Sequence, residues 1–165
     1  MRALILGMGS PILSDDGVGL LVAKKLEGRV RGVDVLTTIM AGVNLLELIA
    51  GYNVLFLVDA LLSPESHPGE LKKMAAGQGT LHLFSSHGFD FFELLTLGET
   101  LGYKMPGAVH IYGITIKDRL SFGEGLSPDL EKKAEALSEE ILADIQNTLE
   151  KPFDDEGLTN GIPFP

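Results

Sequence analysis

The sequence predicts an α/β fold, a three-layer α/β/α sandwich with a twisted, mostly parallel sheet of about five strands. Three observations carry that expectation. Apolar runs of strand length alternate with segments of helical period. The strand runs are near-continuous Val, Leu and Ile, as in parallel sheets covered on both faces. No internal repeat or linker divides the 165 residues, a length that suits one well-covered core.

The first strand is expected at Ala3–Gly7 and the first helix at Gly17–Glu27, where Val18 to Leu26 are amphipathic. A second strand, Val33–Thr38, precedes a helix over Asn44–Ala50, with Leu45, Leu46, Leu48 and Ile49 as its buried side. The purest apolar run, Val54–Val58, is the third strand and ends at Asp59. After Pro68-Gly69 come a short strand near Glu70–Met74, a helix near Phe89–Leu101 and a strand at Val109–Ile116. The last helix opens on Pro128. Its apolar side is Leu130, Ala134, Leu137, Ile141, Ile145 and Leu149, spaced by three or four. Residues 1–150 are read as a single domain and 151–165, rich in Pro, Gly and Asp, as an irregular tail.

Composition removes several functions. With 13 basic and 23 acidic side chains the net charge is −10, which disfavours nucleic acid or an anionic membrane as partner. There is no run of about 20 apolar residues to span a bilayer. The opening Met1-Arg2-Ala3-Leu4 enters a strand without the apolar region of a signal peptide, so a cytoplasmic protein is expected. Cysteine is absent, so thiolate metal sites and cysteine nucleophiles are excluded. The His-Glu-x-x-His, Gly-x-Ser-x-Gly and phosphate-binding lysine motifs are missing too.

The segment Gly7-Met8-Gly9-Ser10-Pro11-Ile12-Leu13-Ser14-Asp15-Asp16-Gly17-Val18-Gly19 reads as strand, loop and helix, with paired carboxylates where the helix begins. A helix N-terminus attracts phosphate, but two aspartates there repel it and suit a cation. The dinucleotide fingerprint also fails, because Ile12 stands where its third glycine belongs. Asp15 is expected to cap the helix, leaving Asp16 free to face a ligand. Asp59, at the carboxyl end of its strand, is either a turn or helix cap or a ligand-binding acid. Among the histidines, His67 reads as an exposed loop residue, and His82 and His110 as strand residues. His87, in the loop Ser85-Ser86-His87-Gly88, is a ligand or a cap. Two carboxylates and an imidazole could form half of a divalent-metal shell.

Taken together, these motifs resemble the hydrogenase maturation endopeptidases. The family's opening pattern is Gly-x-Gly-Asn, an apolar pair, then two acids and Gly-x-Gly. Here it runs from Gly7-Met8-Gly9-Ser10 to Asp15-Asp16-Gly17-Val18-Gly19. Val58-Asp59-Ala60 with Pro68-Gly69-Glu70, Ser85-Ser86-His87, and Gly113-Ile114 with Gly123-Glu124-Gly125-Leu126-Ser127-Pro128 follow in family order. The resemblance implies an endopeptidase that trims the C-terminal extension of a nickel–iron hydrogenase large-subunit precursor after nickel insertion. It also implies that Asp16, Asp59 and His87 contact nickel supplied by that precursor. No organic cofactor and a monomeric enzyme are expected. Ser10 replaces the usual asparagine, and Asp16 stands where many members have Glu. Thr37-Thr38-Ile39-Met40 lacks the acid and glycines often found before the Ala41-Gly42 equivalent. That last departure keeps open a rival, a non-catalytic escort that binds nickel or the precursor through the same three residues.

Overall fold

The computed structural model describes residues 1–74, 91–118 and 121–151. Its first strand, β1 (Ala3–Met8), is buried throughout and is followed by a 3-10 turn at Ser14–Gly17 and by α1 (Val18–Lys25). Strand β2 (Val33–Thr38) leads through a second 3-10 turn, Gly42–Leu45, into the short α2 (Leu46–Ile49). Then come β3 (Val54–Leu62), β4 (Leu71–Met74), α3 (Phe91–Thr100), β5 (Ala108–Ile116) and α4 (Pro128–Glu150).

The strands form one sheet in the order β2-β1-β3-β5-β4. All pairings are parallel except that of β4, which runs antiparallel to β5. Side chains alternate across a strand, so each strand supplies both faces. On one face Ile5, Phe56, Val58, Tyr112 and Ile114 pack against Val22 of α1 and Ile141 of α4. On the other, Leu4, Leu6, Leu55, Leu57 and Ile111 meet Ile49 of α2 and Leu94 of α3. Helices on both sheet faces make the three-layer α/β/α sandwich that the alternation predicts.

Two expected boundaries are corrected. The third strand does not end at Asp59 but runs on to Leu62, because Asp59–Leu62 pair in register with Gly113–Ile116 of β5. It is β1 that stops there, its last partner on β3 being Val58. The helix expected over Asn44–Ala50 is divided, since a 3-10 turn opening at Gly42 (φ 60°) takes its first residues and leaves one α-helical turn. Residues 75–90 and 152–165, hence His82, His87 and most of the expected tail, lie outside the described residues. No helix among the described residues is long and apolar enough to cross a membrane.

Candidate active site

After β1 the chain must turn back over its own strand end within a few residues. Gly9, at φ 148°, makes that turn, and a Cβ there would overlap the carbonyl oxygen of Asp16. The loop therefore closes on itself, and the Ser10 N–H donates to Asp16 Oδ2 at 3.1 Å. Asp16 is only 1% exposed, within the turn whose first residue, Ser14, holds a left-handed φ of 47°.

Its neighbour points elsewhere. Asp15 accepts hydrogen bonds from the Ser127 backbone N–H at 2.6 Å and the Ser127 hydroxyl at 2.9 Å. Ser127 is the N-cap residue of α4, and α1 has no side-chain cap. The expected capping role is thus corrected: Asp15 serves the last helix, where its charge also meets the positive end of the helix dipole. The same two loops are joined by backbone bonds, Ser14 N–H to Gly123 O at 2.9 Å and Gly123 N–H to Ile12 O at 3.0 Å.

Asp59 is fully buried in β3, beside the point where β1 ends, and its Oδ1 accepts the Ala60 N–H at 2.8 Å. Gly19 holds α1 against that place. A Cβ on Gly19 would lie 2.5 Å from Val58 O and 3.1 Å from the Asp59 Cα. Asp16 and Asp59 thus occupy the same carboxyl edge of adjacent parallel strands, where open α/β sheets bind ligands. Removing carboxylates from water costs free energy unless polar partners compensate, and such burial concentrates at working sites. Two acids so placed can hold a cation, orient a substrate or take a proton from water.

The third expected residue, His87, lies outside the described residues. Of the other histidines, His67 is exposed, as expected, and its carbonyl accepts the Thr115 hydroxyl at 2.6 Å. His110 sits in β5 with its ring stacked 5.1 Å from that of Phe56. Burial lowers its pKa, as do Lys151 and Lys73, while Asp144 opposes the shift, so a neutral imidazole is favoured. Asp144 itself holds α4 to the sheet by accepting from Tyr112 Oη at 2.8 Å and Lys73 Nζ at 2.5 Å. Those bonds outweigh burial and keep its carboxyl below the usual range. His110 and Asp144 lie away from the edge that holds Asp16 and Asp59, whereas His67 stands in the loop that follows β3 at that edge. Among the described residues no cluster of three His, Asp or Glu forms a ready metal shell.

Ser127 is a supporting residue that the sequence analysis quoted only as part of a motif, with no role attached. Its signal was present, a serine directly before Pro128 at a helix start, but nothing local names a carboxylate 112 residues away as its partner.

Fold and site together define an α/β/α protein with an acidic pair at the ligand-binding edge of its sheet. The hydrogenase maturation protease family profile matches residues 20–144. The chain is 28% identical over 155 residues to the hydrogenase 2 maturation protease of Escherichia coli, an alignment covering 90% of this chain and 93% of the relative. Its fold is similar to that of the hydrogenase-maturating endopeptidase HybD from Escherichia coli, with a TM-score of 0.70 and 25% identity over 89% of this chain and 93% of the other. It is also similar to the NiFe hydrogenase maturation protease HycI from Thermococcus kodakarensis, at a TM-score of 0.65 and 22% identity, covering 88% and 93%. The chain belongs to the hydrogenase maturation protease family and is an endopeptidase.

Proposed function

We propose that this endopeptidase removes the C-terminal extension of a nickel–iron hydrogenase large-subunit precursor once nickel has been inserted. Asp16, Asp59 and His87 meet the nickel that the precursor carries, so the metal enters as part of the substrate. The observation that carries this reading is the burial of Asp16 and Asp59 at one strand edge, 1% and 0% exposed, in a chain without a cysteine nucleophile. Carboxylates are suitable ligands for a divalent cation, and a carboxylate beside a positioned peptide can take the proton of an attacking water. Much of the rate then comes from holding the scissile bond in place. The family match and the relatives' names support the choice of a hydrogenase precursor.

Purified protein mixed with nickel-loaded, C-terminally extended precursor is expected to shorten it by one defined peptide, read as intact mass. A precursor that binds but keeps its mass overturns this choice of substrate and cleavage event.

A further inference from the structure

Four loops leave the sheet at the edge that holds Asp16 and Asp59, and three of them, after β1, β2 and β5, carry large apolar side chains into solvent. Ile12 follows β1 and is 56% exposed; Ile39, Met40 and Val43 follow β2 at 74%, 46% and 51%; Phe122 follows β5 at 83%. Elsewhere among the described residues, such exposure of a large apolar side chain is confined to Met1, Leu36, Leu101 and Tyr103. The exposed groups therefore concentrate at the edge that holds Asp16 and Asp59.

Charge is absent immediately beside these side chains, while Asp15, Asp16, Asp118 and Glu124 share their loops. Val35 to Leu46 contains no ionisable side chain, and neither Ser10-Pro11-Ile12-Leu13-Ser14 nor Ser121-Phe122-Gly123 does, in a chain of net charge −10. The loops are also braced. The Met40 N–H donates to Thr38 Oγ1 at 3.0 Å, and the Ile12 and Phe122 segments are bonded to each other through Gly123. Met40 and Val43 continue into a groove of about 320 Å³ walled on its far side by Leu101 and Tyr103. Apolar surface kept in water by braced backbone marks a place where another protein binds.

We infer that Ile12, Ile39, Met40, Val43 and Phe122 form an apolar docking collar for the folded body of the protein substrate, an uncharged apolar face next to its scissile segment. This rests on the proposed function. The occupant follows from continuity: the loops flank both carboxylates, so a chain reaching Asp16 and Asp59 passes between them, and the body behind that chain rests on their tips. Such contacts act on binding rather than on the chemical step, because the collar touches no reacting atom.

The test compares wild type with Ile39→Ser/Met40→Ser and with Phe122→Ser, measuring steady-state cleavage of the nickel-loaded precursor. Each variant is expected to raise KM about tenfold and leave kcat within about twofold. Ile39→Val/Met40→Leu and Phe122→Leu are expected to restore KM. Thermal midpoints should match the wild type, since these side chains are already in water. Unchanged KM in both serine variants, with the wild type active, overturns the collar and leaves the proposed function standing. Light scattering adds a second check. A wild-type dimer that Ile39→Ser/Met40→Ser makes monomeric, at unaltered KM, assigns the surface to self-association instead. A wild type that leaves the precursor uncut removes the proposed function, and the collar with it.

Discussion

Asp15 and Asp16 are adjacent and chemically identical, yet the backbone sends them to different work. Asp15 reaches Ser127 at the head of α4, and Asp16 is enclosed by its own loop through the Ser10 N–H. A charged hydrogen bond to a helix start is worth about 2 kcal/mol. Asp15→Ala should therefore lower the unfolding free energy by that amount in a urea titration; an unchanged midpoint would refute the fastening role. Gly19 has the opposite kind of importance, since it matters for what it lacks. A methyl group there overlaps the Met8 carbonyl oxygen and crowds Val58 O and the Asp59 Cα. Gly19→Ala is expected to cost about 3 kcal/mol by forcing α1 off the sheet. A denaturation midpoint equal to wild type would show that the helix can move aside freely. The acids themselves were legible in the sequence, because paired carboxylates after a strand are unusual chemistry. Their division of labour was not, because the residue that separates them lies at the far end of the chain.

At the scale of elements, strands and helices with a strong period emerged at their expected places. Val33–Thr38 and the start of α4 at Pro128 agree with the sequence pattern. Boundaries failed where a neighbour decides them. Nothing in Asp59-Ala60-Leu61-Leu62 announces a strand until β5 is alongside, and the pairing with Gly113–Ile116 extends β3 past its acid. Strand β5 also carries a pH dependence. His110 is buried against Phe56 and its pKa is lowered chiefly by that burial. An unfolded histidine takes its proton near pH 6.5. Below about that value the unfolded chain binds more protons than the folded one, so stability falls as pH drops towards the folded pKa. His110→Phe should flatten this part of the curve in chemical denaturation at stepped pH. An equal slope in wild type and variant would show that His110 does not contribute to it.

The whole molecule is a sheet with two cores, one on each face, and the edge that holds Asp16 and Asp59 lies between them where β1 ends. The helices close both faces and leave that edge to loops, which is why buried acids and exposed apolar side chains meet there. Fold class and the edge's identity could be read from alternation and motif order. The collar could not, because exposure belongs to the assembled surface: Ile39 and Ile49 are the same residue type, one 74% exposed and the other fully buried. Net charge −10 adds that a substrate face docking on the collar gains from apolar contact nearby and from basic groups further out.

The most direct measurement is the cleavage rate of nickel-loaded precursor, read as intact mass, for wild type, Asp16→Asn and Asp59→Asn. Circular dichroism on each protein confirms that it is folded. Both variants are predicted to fold and to cut at least about 100-fold more slowly. A folded variant of either acid that releases the C-terminal peptide at the wild-type rate would contradict the claim that this buried pair performs the reaction.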